Sequence, residues 1–252
     1  MIKSSILYLF LFISAFSYGQ TNIKQAFKKH ALQGSITIYN QNKRTWLYSD
    51  SLDAVREMVP GSTFNILNSS IGLETGVIKT EKEMITWTGG KSDLQMAFQS
   101  DLPPYFESLA KKTDRKDYTE FLKAVNYGNH QVPGTGNDFW SKGPLKISPV
   151  GQINFLRFFL REQLPFSPRT FRIVKELMVD PKASAYMLLQ QLAAVTAEGK
   201  NYVWYIGAVK TKDNAFYFAT RLVRPVNKTK DSFDSTIKTM TLDILKQIKL
   251  IN

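Results

Sequence analysis

Apolar residues recur along this chain at two different spacings, and the changes between them predict its elements. Ile23 to Leu32 carries apolar positions at helical spacing among lysines. Gly34-Ser35-Ile36-Thr37-Ile38-Tyr39 then alternates with a period of two, and Thr45-Trp46-Leu47-Tyr48 follows the polar break Asn40-Gln41-Asn42-Lys43. Period two marks a half-buried strand and the break marks a turn, so a hairpin is predicted. Ser49 to Val59 reads as a polar connection.

Pro60 and Gly61 stop that connection, and Phe64, Leu67, Ile71 and Leu73 return at helical spacing until Gly76. This predicts a buried helix with Ser62 in its first turn. From Lys79 to about Ala185 the pattern stays helical over Asp93–Phe98, Pro104–Lys111, Tyr118–Val125, Val150–Arg161 and Pro168–Val179, with no convincing strand run. A helical subdomain over about residues 79–185 is therefore predicted inside a sheet. Strands return at Tyr202–Val209 and Ala215–Thr220, on either side of the turn Lys212-Asp213-Asn214, and Phe233–Ile248 reads as a closing helix packed on the sheet. No repeat and no low-complexity tract interrupts the pattern.

The first twenty residues follow another rule. Lys3 precedes an apolar run from Ile6 to Phe16 that ends in Ser17-Tyr18-Gly19-Gln20. A charged start, a short apolar stretch and small residues describe a secretory signal peptide, too short for a lasting membrane anchor. Cleavage is expected after Gly19 or Gln20, leaving residues 21–252 as one domain that is periplasmic or secreted and not inserted in a membrane. No cysteine is present, so disulfides are excluded and lipid attachment is unsupported. The net charge of +12 comes from lysines dispersed along the chain, with no basic arm, so anionic envelope components or carboxylate ligands are expected as partners and nucleic acid is not.

Chemistry has few candidates. His30 and His130 stand far apart with no cysteine or paired carboxylate near either, so no metal site and no cofactor are expected. Gly134-Thr135-Gly136 lacks the following Lys-Ser/Thr of a phosphate loop. Glu74 and Glu107 read as helix-end or helix-surface charges. Ser62 has two readings on these residues alone. A serine at a helix start is an ordinary cap, and it is also a place where first-turn N–H groups can stabilise the developing charge of an acyl-transfer step.

Ser62-Thr63-Phe64-Asn65-Ile66-Leu67-Asn68-Ser69-Ser70-Ile71-Gly72-Leu73-Glu74-Thr75-Gly76-Val77-Ile78 resembles the active-site helix of the class D serine β-lactamases and of the related sensor domains of β-lactam-responsive receptors. The likeness covers about Gln33 to Ile251. It is strongest over residues 60–78, 127–148 and 202–220, and it implies an α/β (α+β) fold of the β-lactamase/transpeptidase type. In that fold a central antiparallel sheet is flanked by helices on both faces, with a helical subdomain beside it. The family motif is Ser-x-x-Lys, whose lysine is carbamylated and serves as the base; here the fourth residue is Asn65. An amide has essentially no basicity near neutral pH and forms no carbamate.

The other motifs carry over position by position. Ser-x-Val falls at Ser100-Asp101-Leu102, with Ser100 as the implied relay hydroxyl and Leu102 in the valine position. Tyr127-Gly128-Asn129 matches without change. Trp140 within Asn137–Ser148 matches the tryptophan that orders the family's lysine. Lys-Thr-Gly aligns with Val195-Thr196-Ala197, where Thr196 keeps the hydroxyl for a substrate carboxylate and Val195 lacks the cation. The resemblance implies an oxyanion hole from the N–H groups of Ser62 and Ala197, with Glu198 as the other choice for the second donor. Arg221 and Arg224 lie in or just after the last strand, and Lys228 to Ile237 has no arginine where the family grips the carboxylate.

Two functions from different classes remain open. One is an exported class D β-lactamase homologue that binds a β-lactam or peptidoglycan-like ligand, with Ser62 accepting the acyl group and hydrolysis impaired. The other is a pseudoenzyme, a binding or scaffold protein in the envelope that has kept the fold and discarded catalysis. A sensor domain is a third, weakened by the lack of an anchor.

Overall fold

The computed structural model describes residues 32–183, 185–224 and 230–251, together with Ile23 and Phe27. The expected signal peptide, the helix expected over residues 23–32 (apart from Ile23, Phe27 and Leu32) and the polar stretch at 225–229 lie outside the described residues.

Seven strands and eight α-helices are described. The hairpin at the start is β1 (Gln33–Asn40) with β2 (Thr45–Tyr48), Thr37 facing Tyr48 and Asn40 facing Thr45. Near the other end, β5 (Met187–Ala197), β6 (Lys200–Lys210) and β7 (Ala215–Val223) form a meander, and β1 pairs with β7. The sheet order is β2-β1-β7-β6-β5, antiparallel throughout, with β5 at one edge.

Alternation along the central strands builds two cores. Val203, Tyr205 and Val209 of β6, with Phe216, Phe218 and Leu222 of β7, face the closing helix α8 (Lys230–Gln247) through Phe233, Ile237, Met240, Ile244 and Leu245. Trp204, Ile206 and Ala208, with Tyr217 and Ala219, face the larger core on the opposite side. That core is completed by helices α2 (Asn65–Glu74), α4 (Pro103–Lys112), α5 (Arg115–Ala124), α6 (Pro149–Leu160) and α7 (Pro168–Met178). A short helix α3 (Leu94–Gln99) and a two-stranded ribbon, β3 (Ile85–Trp87) with β4 (Gly90–Ser92), lie between α2 and α4 in the chain.

Four differences from the sequence reading have physical causes. β5 was not expected, because Leu, Gln and Ala are helix formers; eleven registered pairs with β6, Met187 opposite Lys210 through Ala197 opposite Lys200, impose the strand. The β3–β4 ribbon is too short to show a period. Ser49 to Val59 also contains a helix, α1 (Ser51–Val55), capped by the Asp50 side chain, which accepts from the N–H groups of Leu52 and Asp53. The Ser62 helix opens as a 3₁₀ turn over Gly61–Phe64 and becomes α-helical only from Asn65, with no side-chain cap at either start.

Helix α2 is buried from Asn65 to Leu73, including the polar Asn65, Asn68, Ser69 and Ser70. Its C-terminal Glu74 lies at the start of α7, accepting from the Ser167 N–H and hydroxyl (both 3.0 Å) and from the Thr170 hydroxyl (2.8 Å). A carboxylate at a helix N-terminus meets free N–H groups and the positive end of the dipole, so Glu74 joins two helices of the core.

Gly61 gives α2 its entry. Its φ is +57°, and a Cβ there would lie 2.4 Å from Val195 Cγ1. Gly61→Ala therefore combines a left-handed L-residue with overpacking, and we expect a loss of about 2–4 kcal/mol in urea denaturation. Adding Val195→Ala should return the overpacking share and leave the conformational cost.

Candidate active site

The turn that bears Ser62 is fixed from several sides. The Trp204 indole N–H donates to the Val59 carbonyl (3.1 Å), and Met58 exchanges backbone hydrogen bonds with Ile147 (3.0 and 2.9 Å). The Gly61 N–H donates to the Trp140 carbonyl (2.8 Å). The Thr63 hydroxyl donates to the Pro60 carbonyl (2.8 Å) and accepts from Gln152 Nε2 (2.7 Å). Phe64, fully buried, sits among Tyr118, Tyr127, Phe139 and Trp140, with ring centroids 5.3–6.3 Å away. Every one of these polar contacts is backbone or neutral, so among the described residues the turn is held by uncharged groups.

Asn65 lies one turn beyond Ser62, and residues three apart share a helix face. It is 2 % exposed, and its side-chain oxygen meets no hydrogen-bond donor among the described residues. The Ser69 hydroxyl, four residues further on, is buried in the same condition. An unpaired buried polar atom is costly, so the neighbourhood of residue 65 is polar without having a partner for this particular side chain.

Trp140 packs behind the turn. Its ring stacks on Phe64 at 5.3 Å with 28° between planes and meets Phe139 edge-on at 5.1 Å. The Tyr127-Gly128-Asn129 loop is structural here. The φ of Gly128 is +58°, and a Cβ would lie 2.0 Å from the Lys146 carbonyl. Asn129 exchanges hydrogen bonds with Lys146 (N–H to carbonyl 3.0 Å, side chain to N–H 3.0 Å) and donates to Pro144 (2.9 Å). Tyr127, fully buried, has its hydroxyl pushed well above the usual phenol range by burial.

Of the remaining sequence candidates, Ser100 borders one hollow, Thr196 and Ala197 another, and Leu102 packs on the core. Ser100, exposed, ends α3 and donates its N–H to Met96 (2.9 Å); the next residue, Asp101, is left-handed at φ 50°. Ser100 and Asp101 line a groove of about 310 Å³ bounded by the end of α7, by Gln190–Ala194 of β5 and by Asp234 and Lys238 of α8. Leu102 is half-buried against the main core, donating its N–H to Ala97 (3.0 Å). Thr196 and Ala197 line a different hollow of about 230 Å³ with Glu57–Val59, Lys142 and Lys146. The Thr196 hydroxyl donates across the hairpin to the Asn201 side chain (2.9 Å). Val195, 6 % exposed, packs against Gly61.

Sequence reasoning passed over two neighbouring glutamines of β5, one of which touches the Ser62 backbone. Gln191, 7 % exposed, donates from Nε2 to the Ser62 carbonyl (3.2 Å) and lines the groove. Gln190, its neighbour on the opposite strand face, donates to Asp180 (2.6 Å) and accepts from Tyr205 (2.7 Å). The available signal was the alternation Leu189, Gln191, Ala193, Val195, in which one polar residue interrupts an apolar face. Arg221, in the strand before the stretch where sequence reasoning found no arginine for the family's carboxylate position, is 2 % exposed and bound to Asp53 in the interior.

Against this geometry, the comparisons with known proteins are consistent. The model of the penicillin binding protein transpeptidase domain matches residues 28–245. The chain is 30 % identical to β-lactamase OXA-48 of Klebsiella pneumoniae over 234 residues, which are 89 % of this chain and 87 % of that protein. It belongs to the penicillin-binding transpeptidase family, in the class D β-lactamase branch. Within that family, the crystal structure of the class D β-lactamase of Sebaldella termitidis superposes with a TM-score of 0.86 at 31 % identity, covering 92 % of this chain and 97 % of that one. The regulatory protein BlaR1 of Bacillus licheniformis is 26 % identical over 208 residues, 78 % of this chain and 34 % of that protein. The family supplies the central antiparallel sheet with flanking helices and a penicillin-binding fold.

Proposed function

We propose that this protein is an exported, covalent β-lactam binder whose Ser62 accepts an acyl group that is then released very slowly. In the acyl step the Ser62 oxygen bonds to the β-lactam carbonyl carbon, the ring C–N bond breaks, and the serine proton ends on the ring nitrogen. The Ser62 backbone N–H, at a helix start, would oppose the charge that develops on the carbonyl oxygen.

One observation carries the reading: the residue on the same face one turn after Ser62 is a buried amide. A positioned base contributes roughly two to four orders of magnitude to such a step, and removing one member of a cooperative unit abolishes most of its effect. The same absence blocks activation of the water that would free the enzyme, so binding outlasts turnover. Export rests on the charged and apolar pattern of residues 1–20; among the described residues no helix is long and apolar enough to cross a membrane.

The test is intact-mass spectrometry after incubation with a fluorescent penicillin. We expect an adduct of one whole penicillin on the Ser62 peptide that persists for hours, its absence in Ser62→Ala, and little nitrocefin hydrolysis. Rapid turnover would contradict slow release. No adduct at all would leave the scaffold reading in its place.

A further inference from the structure

The geometry points to a peripheral docking surface for an anionic lipid bilayer, at the corner where β2, α1 and the outer face of α6 meet. It holds whatever Ser62 does.

A continuous row of rings and guanidinium crosses this corner. Trp46 and Tyr48, both half-buried, stand two residues apart on the edge strand β2, with ring planes 7° apart and centroids 6.1 Å apart. Trp46 meets Tyr39 at 4.8 Å. The Arg157 guanidinium lies 3.7 Å over the Tyr39 ring and 6.0 Å from the ring of Phe158. It is held in place by donating to the Tyr39 hydroxyl (3.0 Å) and to the Asn154 side chain (3.1 Å). Phe158 is 44 % exposed, and α1, which packs on α6, presents Leu52 at 81 %. Single exposed apolar residues are ordinary, but several beside half-buried aromatics mark an interaction surface.

Charge selects the partner. Among the described residues no ion pair includes Arg44, Arg157 or Arg161. The carboxylates beside them in the chain are committed elsewhere: Asp50 caps α1, Asp53 holds Arg221, and Glu162 holds Lys175. Burial raises the pKa of the Tyr217 hydroxyl, and Arg161 and Arg157 both pull it down, which sets the two cations on one side of the sheet. An unneutralised arginine cluster calls for an anion. A sugar polyanion would satisfy the rings and the guanidinium groups and leave Leu52 in water. The headgroup boundary of a bilayer takes all three: phosphates at the arginines, amphipathic rings at headgroup level, and aliphatic side chains at the acyl edge. The sheet agrees with this orientation. β2 and β5 are its two edges, so a protein resting on β2 holds the Ser62 turn, packed against β5, away from the lipid.

Co-sedimentation tests the surface, using phosphatidylcholine vesicles with and without phosphatidylglycerol. The protein is purified from exporting cells, and its N-terminus is read by intact mass so that every variant carries the same one. We expect the parent to bind anionic vesicles at least about ten-fold more tightly than neutral ones, and less tightly as salt rises. Arg44→Glu with Arg161→Glu should weaken that binding by about ten-fold or more, and Leu52→Ser with Phe158→Ser by about five-fold or more. Lys112→Glu with Lys182→Glu, at the end of α4 and in the loop entering β5, changes the net charge as much as the arginine pair does and should cost less than about two-fold. Melting temperatures check each fold, and Arg161→Glu and Leu52→Ser alone replace a pair that melts early. Absent binding, indifference to lipid charge, equal losses in the lysine and arginine pairs, or no loss in the apolar pair overturns the inference. Retention on dextran sulfate without vesicle binding overturns it too, and gives the corner to a sugar polyanion.

Discussion

Asn65→Lys should raise the rate of Ser62 acylation by about 10²- to 10⁴-fold and convert a lasting adduct into one that is released, because it supplies the missing general base. The side chain would enter a site that is 2 % exposed. Burial disfavours the ammonium, so the amine there is drawn toward its neutral, proton-accepting form. The unpartnered Ser69 hydroxyl on the same face offers it a hydrogen bond. Stopped-flow acylation with a fluorescent penicillin and nitrocefin hydrolysis read the two steps separately. Asn65→Gln, which adds length without basicity, should stay at the parent rate. If the lysine variant does so too, the absent base is not what limits this site.

Arg221→Met should cost about 3–5 kcal/mol, the usual penalty for removing one partner of a buried ion pair. The guanidinium lies over the Trp204 ring at 4.8 Å and donates to the Arg56 and Asp53 carbonyls (both 3.2 Å) and to the Asp53 carboxylate. The Ser35 hydroxyl donates to the same carboxylate. The substitution leaves that carboxylate with the Ser35 hydroxyl and takes the guanidinium from the Arg56 carbonyl, while the Asp53 carbonyl keeps the Arg56 backbone N–H (3.1 Å). Urea denaturation measures the cost. Arg221→Lys should recover less than half, since an ammonium cannot span both carbonyls and the carboxylate as the planar fork does. A change below about 1 kcal/mol would mean that the pair roughly cancels its own desolvation.

Much of the architecture was legible because its signals are local. The β1 strand alternates, β6 and β7 are aromatic and β-branched runs on either side of a turn, and α2 and α8 repeat apolar residues at helical spacing. β5 was hidden because its residues favour a helix and only its partner makes it a strand. The site divides along the same line. Ser62 and Asn65 are three residues apart on one helix, so their proximity can be read from spacing. The strand residue that meets Ser62 is decided by how β5 passes the turn, which brings the Gln191 side chain to the Ser62 carbonyl. The ion pair of Arg221 with Asp53 was not legible either, because Asp53 precedes it by 168 positions.

The support beneath Ser62 has an evolutionary corollary. Indole, glutamine and backbone groups anchor the turn, while the residues at 65 and 195 contribute neither an ion pair nor a charge to it. Selection could therefore change the side chains at these two positions without endangering the architecture around them. In such a scaffold, inheritance of shape and inheritance of chemistry travel independently.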